Sequence, residues 1–277
     1  MIITHIKAAK FPLAEDTIVH AFVGGSGLHG AKVPGYDDLD IYAVYVEPPE
    51  RILGLLSLEH YVWSSSSDKL LNDANDVDVT MYSLHRWGEL LMKGNPAILH
   101  FLFAPNYVSG PGHNVWEEFI YPIRSELITK KCVKQYLGFA NNQRARLTGE
   151  KGMGRHGQRP DLIEKYGFDT KFAMHYIRLL YECRELLMDH TLTFPRPEKV
   201  QLISIRQGGL TQDEVFAVGK ELMEECEDQL EITDMPDQID AEKLSHTIAL
   251  AYQSHWTRAG VDKREEKLYN LRDWSKP

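Results

Sequence analysis

The residues with the clearest chemical potential sit in two acidic clusters. Asp37-Asp38-Leu39-Asp40 opens a β-branched and aromatic run that continues to Val46, and Asp76-Val77-Asp78 opens a second run to Ser83. On an extended strand, side chains two apart share a face, so Asp38 and Asp40 project together and Asp37 points the other way. Carboxylates held side by side repel unless a cation sits between them or one takes a proton. Upstream, Gly24-Gly25-Ser26-Gly27 interrupts an apolar run. Glycines let the backbone turn sharply and leave its N–H groups open to an anion. The stretch lacks the Lys-Ser/Thr ending of a P-loop and the spacing of a dinucleotide fingerprint. A cradle for phosphate beside carboxylates for a hard divalent cation is the equipment that transfer of a nucleotidyl group needs. Each feature also has a plainer reading, since glycine-rich turns and acidic strand openings are common.

The elements that must position these groups follow from the pattern of apolar residues. Val19 to Val23 is short enough for a buried strand leading into the glycine turn. Asp38 to Val46, ended by Pro48-Pro49, is a strand, and so is Asp76 to Ser83, with Asp76, Asp78 and Thr80 on one face. Asp78 would complete a carboxylate triad from an adjacent strand. Between the two, an apolar segment (Ile52 to Leu58) precedes a serine-rich loop, Ser64 to Ser67. A helix is expected from Leu84 to Leu91, and another from Pro96 through Phe103 after the break at Gly94-Asn95. Pro105 and the Gly110-Pro111-Gly112 cluster mark a boundary between a first domain, 1–110, and a helical second domain, 120–277.

The second half reads as helices at Ser125 to Leu147, Asp169 to Met188, Thr211 to Leu230 and Ala241 to Trp256, with a Gly/His/Arg-rich link from Gly149 to Pro160. Thr211 with Glu214 has the spacing of a capping box. Lys171, His175 and Arg178 recur at helical spacing and share one face. That face either meets phosphate or is a surface of ion pairs around a packed histidine. His29 in the turn, and Tyr82, Trp87 and Tyr176, read as structural groups.

A chain of 277 residues holds one large domain or two modest ones, and its net charge of −9 excludes a general nucleic-acid coat protein. Arg124 to Arg178 nevertheless carries twelve Lys and Arg against five acids, a local +7 suited to a polyanion. No apolar run reaches the ~18 residues of a membrane span. Cys132, Cys183 and Cys226 lack metal-ligand spacing, so reduced thiols and a cytoplasmic location are expected.

Taken in order, Gly25-Ser26-Gly27-Leu28-His29-Gly30, Asp38-Leu39-Asp40 and Asp78 resemble the DNA polymerase beta-like nucleotidyltransferase superfamily. Asp78 to Leu84 with Lys93-Gly94-Asn95-Pro96, Tyr166 to Leu180 and Ile205-Arg206-Gln207-Gly208 are similar to a stand-alone branch in bacteria and phages, related to proteins associated with RNA repair. The resemblance covers about residues 20 to 225. It departs from the pattern in a longer gap between Gly30 and Asp38 and in Asp37, where a Ser is common. Asp37 and Asp76 thus stay open as alternatives to Asp38 and Asp78, although strand phase and the Val-Thr-x-Tyr-Ser match favour the latter pair.

The resemblance implies an α+β fold, a mixed sheet with flanking helices followed by a helical region. It implies Asp38, Asp40 and Asp78 as catalytic ligands of Mg²⁺ (or Mn²⁺), and Gly25, Ser26, Gly30, Lys171 and Arg178 as nucleotide-binding groups. The implied reaction moves an NMP from an NTP to a hydroxyl with release of pyrophosphate. An RNA 3′ end, such as that of a tRNA, is the expected acceptor. A protein or small-molecule acceptor, or a nucleotide-binding relic without activity, are the other readings.

Overall fold

The alternation that defines the strands also separates two faces of one sheet. In a computed structural model that describes residues 2–33, 37–66, 76–108, 114–150 and 158–260, four strands form the sheet: β1 (Ile18–Val23), β2 (Leu39–Tyr45), β3 (His60–Ser64) and β4 (Val77–Ser83). Their order is β1-β2-β4-β3, with β2 and β4 parallel and both edge pairings antiparallel. The fold is therefore α+β with a mixed sheet. On one face, Ile41, Ala43, Tyr45, Val79 and Met81 bury with Ile2 and Ile6 of the first helix, α1 (Ile2–Ala8), and with Ala9 just after it. The alternate residues, including Asp40, Tyr42, Asp78 and Thr80, face the opposite way.

On that other side lie α2 (Gly25–His29), α4 (Leu84–Met92) and α5 (Pro96–Leu99), then the helical half; a short helix, α3 (Pro49–Ile52), follows β2. The helical half comprises α6 (Lys130–Leu147), α7 (Pro160–Tyr166), α8 (Thr170–Asp189), α9 (Lys199–Arg206), α10 (Gln212–Ile232) and α11 (Ala241–Arg258). The long central helix α8 packs against α6, α9 and α10. Its start is fixed by Asp169, whose side chain accepts from the backbone N–H of Lys171 and of Phe172. Thr211 and Glu214 form the expected capping box at the start of α10.

Three expectations need correction, and one strand is added. The helix expected from Ser125 begins only at Lys130, because Thr129 caps it and Tyr121–Leu127 is a 3₁₀ turn. The helix expected through Phe103 tightens to 3₁₀ at His100–Leu102. The glycine stretch is not a bare turn: Gly25–His29 makes one helical turn ended by Gly30 in the left-handed region. Strand β3 was not anticipated, since a half-exposed edge strand shows little alternation. The Gly110-Pro111-Gly112 cluster and most of the Gly149 to Pro160 link lie outside the described residues.

One hydrophobic core joins the two halves, running from Val19 and Phe22 through Trp87 and Trp116 to Leu180, Leu222 and Tyr252. The chain's last described helix, α11, returns to the sheet: the Tyr252 hydroxyl donates to the Glu47 carboxylate, and Trp256 Nε1–H donates to the Glu47 carbonyl at 2.8 Å. All three cysteines are buried free thiols. No helix among the described residues is long and apolar enough to cross a membrane.

Candidate active site

Parallel pairing places Asp40 directly opposite Asp78 in the β2–β4 register. Register partners on parallel strands point to the same face, so the two carboxylates stand side by side. Asp38, two residues before Asp40, joins them. Ligand oxygens of Asp38, Asp40 and Asp78 all lie within 4.8 Å of one another. Burial and the neighbouring carboxylates of Asp38 and Asp78 raise the Asp40 pKa to about 6, against the pull of Lys171.

The alternatives left open by the sequence are distinguished by their partners. Asp37 is 2% exposed and committed elsewhere: it accepts from the Val33 N–H at 2.7 Å and from Arg206 Nη1 at 2.8 and 2.9 Å. It anchors the segment that delivers Asp38. Asp76 lies just before β4 and accepts from Ser65 Oγ at 3.4 Å, outside the carboxylate group.

The glycine turn abuts this group. The Gly24 N–H donates to the Asp40 carbonyl at 2.9 Å, and Gly25 has φ +52°. A β-carbon at Gly25 would collide with the Asp40 carboxylate, and one at Gly24 with the Tyr42 ring. Gly30 docks the turn on the helical half, where a β-carbon would press on Pro195, and the His29 carbonyl accepts from the Arg196 N–H at 3.1 Å.

A cleft of about 350 Å³ opens over the carboxylates. Gly25 and Ser26 line one side, and Lys171, His175 and Arg178 of α8 line the facing side. Gly30 is set back from it, holding the turn. Burial, then Arg159 and Arg206, lower the Lys171 pKa, while Asp37 and Asp38 oppose that shift. His175 is neutral, its pKa held well below the ordinary value by burial and by Arg178 and Lys171.

Behind the cleft lies a charged cluster that sequence reasoning missed. Glu182 is fully buried; its Oε1 accepts from Arg178 Nη1 at 2.7 Å and lies 3.2 Å from His29 Nδ1, and its Oε2 lies 3.1 Å from His100 Nε2. Burial would push the Glu182 pKa up, yet Arg178, His100 and His29 together hold it well below the usual value. Burial and Arg178 keep the His29 pKa at about 3, so that ring is neutral. The one signal in the sequence was a carboxylate four residues after Arg178, continuing the face of Lys171, His175 and Arg178 into a largely apolar helix. Arg178 Nε is buried and meets no hydrogen-bond partner among the described residues.

Three oxygen donors of this type suit Mg²⁺, which prefers carboxylate, phosphate and water oxygens. Burial and then the repulsion from Asp38 and Asp78 raise the Asp40 pKa, and such a cation would relieve that repulsion.

A stretch of 138 residues is 30% identical to an uncharacterized 38.9 kDa protein of Enterobacteria phage T4, from its nrdC-mobD intergenic region. The match covers 49% of this chain and spans 40% of the phage protein's length. The crystal structure of a nucleotidyltransferase-like protein from Exiguobacterium sibiricum aligns over 98% of this chain and 79% of its own, at 12% identity and a TM-score of 0.29, a loose likeness. The match that spans both the sheet and the helical half is to a family model: over residues 4–258, the chain belongs to the RNA repair pathway DNA polymerase beta family, RlaP.

Proposed function

We propose that this protein is a metal-dependent nucleotidyltransferase that joins an NMP from an NTP to the 3′ hydroxyl of an RNA, releasing pyrophosphate. The carrying observation is the Asp40–Asp78 register pair with Asp38 beside it, facing Ser26, Lys171 and Arg178 across one cleft. Asp38, Asp40 and Asp78 would hold Mg²⁺ (or Mn²⁺), which when bound neutralises charge on the attacking and leaving oxygens of an in-line displacement. Asp78 takes the proton of the attacking hydroxyl. The hydroxyl oxygen forms its bond to the α-phosphorus as the bond to the β-bridging oxygen breaks, and pyrophosphate leaves with that electron pair.

Ser26 and the backbone of the glycine turn steady the triphosphate, and Lys171 and Arg178 oppose its charge. A phosphate oxygen near Arg178 would also give its buried Nε an acceptor. The neutral His175 adds a hydrogen-bonding group without further charge. The family's RNA-repair description and the basic stretch from Arg124 to Arg178 support an RNA acceptor. The overall charge of −9 favours the second reading, nucleotidylation of a protein.

The test supplies each α-labelled NTP and Mg²⁺ to the protein with and without total RNA, beside Asp38→Ala/Asp40→Ala. Label on RNA only with intact aspartates supports the proposal and names the base. Label on polypeptide moves the reading to protein modification. No label, with NTP binding that ignores metal, replaces both by a binding protein.

A further inference from the structure

A second groove opens beside the catalytic cleft, and three segments distant in sequence build it. It has a volume of about 270 Å³ and is lined by Val33, Asp161, Lys165, Tyr166, Arg206 and Gln207, among others. Arg206 lines both cavities. Its guanidinium grips Asp37, one residue before Asp38, so the groove begins next to the carboxylate group.

The stretches 161–166 and 206–207 touch no reacting atom in the transfer described above, yet they converge here. Gly208 has φ +76°, and a β-carbon on it would overlap the Tyr166 ring, so this glycine permits the ring's close seating. Lys165 Nζ lies 4.9 Å from the centroid of that ring. The Arg206 carbonyl accepts from Thr170 Oγ at 3.0 Å, which ties the end of α9 to the start of α8. The wall is therefore fixed to the helix that carries Lys171 and Arg178.

An aromatic ring, a lysine, an amide, the Asp161 carboxylate and an arginine already paired with Asp37 line one small groove, a set that can seat a nucleotide. Lys165 meets phosphate, the ring gives a face or edge to a base, and the Gln207 amide both donates and accepts at a base edge. Resting on the transferase reading above, we infer that this groove seats a nucleotide of the single-stranded RNA acceptor next to its reactive 3′ end. Arg206 then stands between the acceptor strand and the reacting hydroxyl.

The experiment compares the full chain with Lys165→Ala/Gln207→Ala and with Tyr166→Leu, which keeps an apolar contact for Gly208. Fluorescence anisotropy reports binding of a labelled single-stranded RNA oligonucleotide, calorimetry reports NTP·Mg²⁺ binding, and steady-state transfer gives KM for each substrate. The expected result is RNA affinity weakened roughly tenfold, of the order of one lost base-stacking or phosphate contact, with NTP affinity and Tm unchanged. Wild-type transfer to RNA with groove variants that bind RNA equally well overturns the groove assignment alone. Absence of both NTP binding and transfer overturns the transferase reading and the groove with it. Label on polypeptide, with no RNA binding, overturns the acceptor assignment while leaving nucleotidyl transfer standing.

Discussion

Among the described residues, two groups of three side chains could each reach a metal ion: Asp38, Asp40 and Asp78, and His29, His100 and Glu182. Their donor counts match, but their charge balance is opposite. The aspartates line an open cleft, and at Asp40 burial and like charge outweigh Lys171, so its ionised form is disfavoured. Glu182 is completely buried yet holds its charge, because Arg178 sits 2.7 Å away and two imidazoles surround it. A metal ion at Glu182 would compete with a guanidinium already in place. One at the aspartates would relieve repulsion. Ligand geometry alone does not identify a metal centre; the charge already facing the ligands decides.

The largest effect that sharpens this contrast is on activity. Asp40→Asn is expected to lower transfer by on the order of 10³-fold, the loss of several kcal/mol of charge stabilisation, while circular dichroism shows the fold intact. A variant that keeps wild-type turnover would remove Asp40 from the chemistry.

In the buried cluster the same kind of change should act on stability. Glu182→Ala leaves Arg178 unpaired in the interior and should cost about 3–5 kcal/mol in urea unfolding. A loss below about 1 kcal/mol would mean that water, not Glu182, satisfies Arg178. Glu182→Gln keeps the shape and should fall between the two.

The two clusters should also answer acid in opposite senses. The folded pKa of Asp40, about 6, exceeds its unfolded value of 3.8, so folding gains stability from this group as pH falls through that window. The folded pKa of His29, about 3, lies below 6.5, so its contribution is complete above 6.5 and is lost as pH falls toward 3. Asp40→Asn should therefore raise Tm at pH 7.5, and the gain should vanish near pH 4. Mg²⁺ should raise the wild-type Tm at pH 7.5, less so below pH 6, and should leave Asp40→Asn unmoved. A Mg²⁺ response that survives in Asp40→Asn would place the ion elsewhere.

The smaller effects separate neighbours within the acidic segments. Asp37→Asn weakens the grip of Arg206 and should cost about 1.5–3 kcal/mol, with lower turnover because Asp38 is less firmly delivered. Asp76→Asn should change stability by no more than about 0.5 kcal/mol and leave activity within twofold. A dead Asp76→Asn enzyme would exchange the roles of Asp76 and Asp78.

Local signals were legible in the chain. Alternation gave β2 and β4, the Thr211–Glu214 spacing gave the start of α10, and Asp169 marked the start of α8. Helical spacing put Lys171, His175 and Arg178 on one face, and all three line the cleft. Strand phase set Asp38 and Asp40 together. These features depend on residues within one or two turns of each other, where period and capping chemistry suffice.

What only the tertiary structure decided were the pairings across long separations. The register that sets Asp40 against Asp78 depends on how two strands align after an intervening edge strand. Asp37 was separated from the other three carboxylates by Arg206, 169 residues away, and Glu182 found His100 across 82. The groove beside the cleft exists because Gly208 admits the Tyr166 ring. A sequence records which residues carry charge, but burial and the charge facing each one arise only when the chain closes on itself. Those two quantities decide whether a carboxylate awaits a cation or already has one.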